Sequence, residues 1–449
     1  MNDAPNKRPN DQPLARVVNL LDPSQNVIYG MSHEQATEIV ATGDPDAVRK
    51  IHGHFALVGI SGINVRLART IGKLMRYFIA KRVDGPELIV ADRIDAIRDW
   101  LIDNGLADQF HPSYTRMVPA HHVVELLLIG CPDPNPTYRR FFAPVREGLP
   151  ADPQSIGERY MRAVYDEIVR WLQMLPTDAP VGVCFSGGID SGAVFLLTYH
   201  AMLTLGMNPG RLKAFTLSLG DGGADTEQAR AFLDAVELGM FLEPIEVSPS
   251  DIDLRETIRV VEDYKPLDVQ AGAMSLALCR GIRRRYPEWK YLLDGDGGDE
   301  NLKDYPIEEN PELTIRSVLN NRMLYQEGWG VDSIKHSLTY SGGQSRGYAR
   351  TYGPAVTTGF QTLSPFVALP VIEVAEAIPF IELTGWDHDC LYRLKGDIVS
   401  RGVRAITGME MPVFPKRRFQ HGVASDGVFA SLFPESPDAY RKIFHALYE

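Results

Sequence analysis

The chain has 449 residues, a formal net charge of −12 and 44% hydrophobic residues, so it can hold two or three domains with ample cores. The acidic balance argues against a general binder of nucleic acid or anionic membranes, and no apolar stretch approaches the ~20 residues of a membrane span. Cys131, Cys184, Cys279 and Cys390 lie far apart without CxxC spacing. They indicate reduced thiols in a cytoplasmic protein, with neither a disulfide framework nor a zinc site.

The first part of the chain alternates short apolar runs with turn residues. Its polar, proline-rich start predicts a disordered tail over residues 1–16 rather than a signal peptide. From residue 17 to residue 148 the alternation predicts a layer of β-hairpins. Ser32 to Gln35 has the form of a helix cap, and residues 95–104 are typical of a second helix. By composition alone, nothing here carries chemistry.

Three stretches of this region carry a family pattern. Residues 53–58, 67–78 and 89–97 resemble the second half of the glutaminase domain of class II amidotransferases. That domain uses a cysteine at the mature N-terminus as nucleophile, with its α-amine as base. Residue 2 is Asn2 and the first cysteine is Cys131. The resemblance therefore implies a degenerate α+β glutaminase-like domain over 17–148, without glutaminase activity of its own. A separate subunit that supplies ammonia stays open.

The second domain, predicted over residues 149–449, opens with a helix and a buried strand. Residues 155–158 have the form of a capping box, and Pro176 ends the helix that follows. Residues 181–185 form a short apolar run, typical of a strand inside a parallel sheet. After a Ser/Gly turn, residues 192–205 are apolar nearly all round, which predicts a buried helix.

The turn between this strand and helix predicts a phosphate cradle. Ser186, Gly187 and Gly188 let backbone N–H groups approach an anion, which the positive end of the helix dipole also favours. Asp190 and Ser191 follow, where a carboxylate can hold Mg²⁺ and a hydroxyl can bond a phosphate oxygen. A tight turn with a helix cap is the simpler alternative. The six residues S-G-G-I-D-S resemble the pyrophosphate loop of ATP pyrophosphatases, which cleave ATP between the α and β phosphates. They form neither a Walker A loop nor a dinucleotide fingerprint.

Strand and helix patterns alternate after the turn. The strands are predicted at 213–219, 240–247 and 290–293, and the helices at 226–238, 254–264 and 271–285. This order predicts an α/β fold with a doubly wound parallel sheet, whose ligand lies at the carboxyl ends of the strands. The resemblance to ATP pyrophosphatases implies that this sheet is adenine nucleotide α-hydrolase-like. Adenine is expected between the first two strands, beside Cys184 and Leu217. Beyond Tyr305 the pattern is mostly helical.

The last predicted strand opens into an acidic, glycine-rich segment over residues 294–300, D-G-D-G-G-D-E. Carboxylates crowded in this way favour a bound cation, the alternative being a solvated acidic turn. The segment resembles S-G-E-G-x-D-E of asparagine synthetases. The resemblance implies that Asp294 and Gly295 contact the nucleotide and that Asp299 joins Asp190 on Mg²⁺. Asp296 takes the place of a family glutamate that handles the attacking nitrogen, where β-lactam synthetases have a tyrosine.

A basic segment late in the chain is the next candidate. Residues 414–423 are similar to the family's K-x-x-F-x-x-G-V element, which implies that Lys416 stabilises charge on the reacting phosphate and carbonyl; a basic surface loop is the alternative. Arg346 and Arg350 share a face if helical. We expect mainly surface solvation there, and contact with a phosphate or carboxylate is the alternative.

Two histidine-containing stretches are weaker candidates for metal sites. His121 and His122 are adjacent in a strand-like run, so their side chains point to opposite faces. Residues 387–390, D-H-D-C, have the form of an acidic helix start. We expect structural roles for both.

Together the resemblances cover roughly residues 31–430 and point to the asparagine synthetase and β-lactam synthetase family. They imply an AMP-forming amide synthetase, dependent on ATP and Mg²⁺, that adenylates a small-molecule or peptide carboxylate and transfers it to an amine or ammonia. Gln270 stands where the family has an arginine, and residues 301–304 depart from its V-F-G-G, which argues against aspartate as substrate.

Several alternatives stay open. The chain could make an intramolecular amide, as a β-lactam or lasso-peptide macrolactam cyclase does. It could also be a sulfur-inserting ATP pyrophosphatase or a non-catalytic nucleotide-binding scaffold. No membrane or nucleic-acid partner is expected, and the oligomeric state is open, a homodimer included.

Overall fold

The computed structural model describes residues 16–83, 85–128, 136–220, 224–304, 307, 314–320, 350–414 and 426–448. The chain divides into two compact units, one of Met1–Phe142 with Leu338–Tyr340 and one of Ala143–Ser337 with Ser341–Glu449. The sequence places the corresponding boundary at residue 148. No helix in the described ranges is long and apolar enough to cross a membrane.

The first unit is built mainly from short strands. Its strands are β1 (Val17–Asn19), β2 (Val27–Tyr29), β3 (His52–His54), β4 (Ala56–Ser61), β5 (Asn64–Arg69), β6 (Arg76–Arg82), β7 (Gly85–Ala91), β8 (Arg116–Met117), β9 (His122–Leu127) and β10 (Thr137–Arg140). Its helices are α1 (His33–Thr42), α2 (Pro45–Val48) and α3 (Ile94–Asp103). The strands form sheets in the orders β1-β7-β6-β8 and β10-β9-β5-β4, and β2 pairs with β3.

The two larger sheets of this unit share one apolar core. Side chains of β4, β5 and β9 pack with those of β6 and β7, as Leu67 and Val90 do. Helix α3 covers the other face of β6 and β7, and α1 packs against β4, where a Cβ on Gly59 would lie 2.3 Å from Ala41 N. The predicted hairpin-rich region is thus a pair of sheets with helices outside them. The glutaminase-like interpretation of this unit stays a prediction.

The second unit contains a parallel sheet. Its strands are β11 (Val181–Cys184), β12 (Leu212–Leu219), β13 (Leu242–Val247), β14 (Tyr291–Leu293) and β15 (Gln361–Leu363), in the order β13-β12-β11-β14-β15, all parallel. The predicted parallel sheet is confirmed, with β15 as a further strand. Because β12 lies on one side of β11 and β14 on the other, β11 marks the topological switch point, where ligands of such sheets bind.

Along the chain, helices lie before, between and after the strands of this sheet. They make up most of the described chain beyond residue 305. They are α4 (Pro153–Met174), α5 (Ile189–Thr204), α6 (Ala224–Ala235), α7 (Leu254–Val261), α8 (Pro266–Arg285), α9 (Gly298–Asn301), α10 (Ile315–Asn320), α11 (Tyr352–Thr357), α12 (Leu369–Glu376), α13 (Phe380–Thr384), α14 (His388–Thr407), α15 (Asp426–Leu432) and α16 (Pro437–Tyr448). Helix α8 covers one face of the sheet, where Met274 and Ile282 pack with Phe215 and Ile245.

The two predicted helix caps have opposite outcomes. Ser32 caps α1 through the reciprocal bonds of a capping box with Gln35, as predicted. The capping box predicted at Ser155 is wrong, because α4 begins earlier, with Asp152 as its cap, and the Asp152 carboxylate accepts from Ser155 N at 3.0 Å. An aspartate followed by Pro153 at the first helical position is the stronger start signal.

Candidate active site

The predicted phosphate cradle joins the end of β11 to the start of α5. Gly187 has φ +72°, and a Cβ there would lie 2.8 Å from the Ala229 backbone, so only glycine fits. Gly188 is the N-cap of α5, and no described side chain caps this helix start. The Ser186 and Ser191 hydroxyl oxygens lie 3.1 Å apart, and Ser191 Oγ accepts from Ser186 N at 3.2 Å. The turn from Ser186 to Ser191 can therefore offer backbone N–H groups and two hydroxyls to an anion.

The acidic segment follows β14, the neighbour of β11. Asp294 N donates to Leu363 O at 3.2 Å, and Asp294 Oδ1 accepts from Asp296 N at 3.0 Å, which fixes the turn. A Cβ on Gly298 would lie 2.3 Å from Asp190 Oδ1, and one on Gly295 would lie 3.0 Å from Asp190 Cβ. Glycines therefore let this segment pack directly against Asp190, and the structure brings the two predicted motifs together.

A lysine that the sequence analysis did not select joins them. Lys395, on α14, is buried, and its Nζ lies 2.6 Å from Asp190 Oδ2. The same Nζ bonds Asp299 Oδ1 and lies 3.3 Å from Asp304 Oδ2. One signal could have found it: the lysine stands in the buried stripe of α14, between Leu391 and Ile398, where an unpaired charge is costly.

The side chains of this cluster carry more negative than positive charge, which favours the binding of a cation. Burial lowers the pKa of Lys395, but Asp190, Asp299 and Asp304 more than offset this, so the ammonium keeps its proton. Burial raises the pKa of Asp190 to about 7, and the Asp299 carboxylate also raises it, while the Lys395 ammonium lowers it. Three carboxylates around one ammonium leave an excess of negative charge.

This donor set fits the magnesium ion that the resemblance implies. Asp190 Oδ1 is buried and makes no hydrogen bond with any described residue, and carboxylate oxygens are the ligands that Mg²⁺ prefers. Within the described residues, no group of three or more His, Cys, Asp or Glu is placed to hold a metal. A magnesium ion between Asp190 and Asp299 would therefore complete its shell with phosphate and water oxygens.

Asp296 lies beside the segment that precedes α11. Its Oδ2 accepts from Thr351 N at 2.8 Å. Burial raises the pKa of the Asp296 carboxyl, while the Thr351 N–H and the Arg350 guanidinium lower it. A carboxylate with a raised pKa and a fixed orientation is suited to accept a proton.

Arg350 corrects an expectation of the sequence analysis. We expected mainly solvation, but its Nη2 lies 3.1 Å from Asp268 Oδ1 and its side chain is 30% exposed. The reason is local: Arg350 precedes α11, which begins at Tyr352, so it extends from a turn rather than from an exposed helix face.

The remaining predicted residues are placed as follows. Cys184, half-buried, ends β11, and Leu217 is buried with Ile245 in the core of the sheet, so the Leu217 side chain contacts other core residues. An adenine beside these two residues stays a prediction. Lys416 and Arg346 lie outside the described residues.

Both weaker metal candidates have structural partners. His122 Nδ1 lies 2.7 Å from Ala120 O, and Ile71 N donates to Nε2 of the buried His121. Asp387 caps α14 by accepting from Cys390 N at 2.7 Å, which confirms the predicted helix start.

Comparison with known proteins gives matches to one family. Residues 169–348 match the family described as asparagine synthase. The chain is 26% identical over 251 residues to glutamine-hydrolyzing asparagine synthetase 2 of Lotus japonicus, covering 54% of this chain and 38% of that protein. It is 28% identical over 178 residues to glutamine-hydrolyzing asparagine synthetase 1 of the same plant, covering 37% and 28%. The chain thus matches well under half the length of these relatives. The cradle and the acidic segment lie inside the match, and Lys395 lies beyond the family match.

Proposed function

We propose, from the match of residues 169–348 to the asparagine synthase family, that the chain is an ATP-dependent carbon–nitrogen ligase. It joins a carboxylate to an amine or ammonia and forms AMP and pyrophosphate. The observation that carries the proposal is the convergence of Asp190 and Asp299 on Lys395 at the switch point of the sheet.

In the first step, a carboxylate oxygen of the substrate attacks the α-phosphorus of ATP, and the bond to the bridging oxygen of pyrophosphate breaks. The turn from Ser186 to Ser191 would bind the departing pyrophosphate through backbone N–H groups and hydroxyls. Magnesium held by Asp190 and Asp299 would neutralise phosphate charge. Lys395, a buried ammonium beside these carboxylates, supplies a fixed positive charge, which stabilises the charge that develops on the leaving group.

In the second step, the nitrogen attacks the carbonyl carbon of the acyl-adenylate, and AMP leaves with the electron pair of the broken C–O bond. The nitrogen must lose a proton as the amide forms. Asp296, oriented by the Thr351 N–H, would take that proton. Lys416 would offset charge on the reacting phosphate and carbonyl.

The carboxylate substrate differs, in this proposal, from aspartate. Gln270 cannot form an ion pair with a second carboxylate, and its Nε2 lies 3.3 Å from Tyr440 OH. Intramolecular amide formation within one peptide or small molecule belongs to the same chemistry. The first unit, as a degenerate glutaminase-like domain, would supply no ammonia. Glutamate release from added glutamine would contradict that part.

The test is to incubate the protein with Mg·ATP and a panel of carboxylates and amines, and to quantify AMP, ADP and pyrophosphate. We expect AMP and pyrophosphate in equal amounts, dependent on the carboxylate. Substrate-dependent ADP release would exclude adenylation, and tight ATP binding without turnover would favour a scaffold. Asp190→Asn should abolish pyrophosphate release. Asp389→Asn, whose side chain is 68% exposed, is the matched control and should not.

A further inference from the structure

Asp304 is the third carboxylate on Lys395, and the proposed reaction gives it no contact with ligand. It is buried, with 6% of its surface exposed, and its Oδ2 lies 3.3 Å from Lys395 Nζ. Its backbone N–H donates to Asp299 O at 2.9 Å, so Asp304 is fixed to the segment that carries Asp299. In the V-F-G-G pattern of asparagine synthetases this position is a glycine, which has no side-chain carboxylate to pair with a lysine.

The neighbouring residue fixes the turn that presents Asp304. Lys303 has φ +57°, a left-handed conformation that favours glycine. Its Nζ donates to Leu319 O at 2.9 Å and lies 4.8 Å from the centre of the Phe380 ring. These contacts hold Lys303 in the strained conformation. Lys303 and Asp304 therefore replace the two glycines as a pair: one holds the turn and the other reaches Lys395.

The three carboxylates around Lys395 have different roles when ligands bind. In the proposed function Asp190 and Asp299 bind magnesium, and a divalent cation competes with the Lys395 ammonium for their oxygens. A buried ammonium that loses its acceptors moves or pays a large desolvation cost. Asp304 faces the same ammonium and has no assigned metal, so its ion pair with Lys395 persists when Asp190 and Asp299 bind the ion.

We propose that Asp304 is a positioning residue, which holds the Lys395 ammonium beside the phosphate cradle when magnesium and phosphates are bound. This inference rests on the proposed function. Asp304 would act on the reaction through Lys395, without touching the substrate.

Two physical effects of removing Asp304 have opposite signs, which makes the inference testable. If Asp304 acted only through its charge, Asp304→Asn would make the site less negative and tighten the binding of an anion. If Asp304 positions Lys395, the same variant weakens anion binding, because the ammonium loses a charged acceptor and its fixed place. The probes are magnesium pyrophosphate and the magnesium complex of α,β-methylene-ATP, titrated by calorimetry, with AMP as a ligand that lacks the β and γ phosphates.

We expect Asp304→Asn to weaken the binding of both phosphate probes about tenfold, because the Lys395 ammonium loses the charged partner of an ion pair. The affinity for AMP should stay within about twofold, since the effect is confined to Lys395. Asp304→Glu, which keeps the carboxylate, should recover most of the loss. A purely structural defect would instead weaken AMP binding as much and would not be rescued by glutamate.

Each other outcome is decisive. Unchanged or tighter pyrophosphate binding in Asp304→Asn would overturn the positioning role while leaving the proposed function intact. A wild-type protein that binds neither phosphate probe would overturn the proposed function and this inference with it. If Asp304→Asn does not fold, equal binding of the probes by Asp304→Glu and Asp304→Gly variants would overturn the inference. Asp389→Asn serves again as the exposed control on α14.

Discussion

Lys395 Nζ lies 2.6 Å from Asp190 Oδ2, although 205 residues separate the two in the chain. Asp190 stands at the start of a helix that follows the central strand, and Lys395 stands on a late helix. This contact ties the cradle to the C-terminal part of the second unit. It places a fixed positive charge at the point where the sheet topology predicts a ligand.

Replacing Lys395 by methionine should affect both activity and stability. The variant leaves Asp190, Asp299 and Asp304 around an uncharged side chain, and removal of one partner from a buried charged cluster costs about 3 kcal/mol of unfolding free energy. We expect pyrophosphate release to fall at least about a hundredfold, as for other fixed charges at developing anions. Urea denaturation and a pyrophosphate assay measure the two effects. Wild-type turnover by the Lys395→Met variant would show that Lys395 takes no part in the reaction.

Replacing Asp299 by asparagine should change the magnesium requirement more than the fold. The Asp299 side chain is 38% exposed, so its loss costs little stability. An amide is a weaker ligand for Mg²⁺ than a carboxylate, and we expect half-saturation of pyrophosphate release at about tenfold higher Mg²⁺. Titration of magnesium at fixed ATP measures this, with Asp389→Asn as control. An unchanged magnesium dependence would contradict the metal role of Asp299.

Replacing Gly298 by alanine should disable the site without unfolding the unit. The new Cβ would lie 2.3 Å from Asp190 Oδ1, and a side-chain end can move away at small cost. The displaced carboxylate then loses its place beside Lys395, so we expect pyrophosphate release to fall at least about tenfold. Asp299 and Asp304 keep the Lys395 ammonium paired, which limits the change in melting temperature. Gly148→Ala is the control, because its Cβ would meet only Val145 Cγ1, at 3.6 Å. Equal activities in the two variants would contradict the close packing.

The stability of the first unit should fall in mild acid. Burial lowers the pKa of His122 to about 4 and that of His121 well below its usual range. The unfolded chain binds these protons near pH 6.5 and the folded unit does not, so the stability is full above pH 6.5 and is lost as the pH falls toward 4. His122 alone contributes about 2 kcal/mol between pH 7.5 and pH 5.

Hydrogen exchange of the β9 amides at several pH values measures this dependence. His122→Asn should flatten it by a similar amount, even if the variant is less stable at pH 7.5. A wild-type unit whose protection is constant from pH 7.5 to pH 5 would contradict the burial of neutral histidines.

Sequence reasoning located those parts of the site that are contiguous in the chain. The turn from Ser186 to Ser191 and the acidic segment ending in Glu300 each follow a short apolar run, and the parallel order of β11 and β14 brings them to one edge of the sheet. Lys395 was missed because its carboxylate partners come from other elements, and its place in the apolar stripe of α14, which is a local sign of burial, does not identify those partners. Arg350 was misjudged because it lies in a turn before α11 rather than on an exposed helix face, and because its partner Asp268 lies on α8.

The position at which the triphosphate binds is the most direct test of the proposed site. A crystal structure of the protein with magnesium and α,β-methylene-ATP measures this without knowledge of the carboxylate. We predict the β and γ phosphates within hydrogen-bonding distance of the backbone N–H groups between Gly187 and Ser191, with the metal between Asp190 and Asp299 and Lys395 Nζ beside the phosphates. A nucleotide bound elsewhere, or phosphates that leave Lys395 paired only with its carboxylates, would contradict the proposed site.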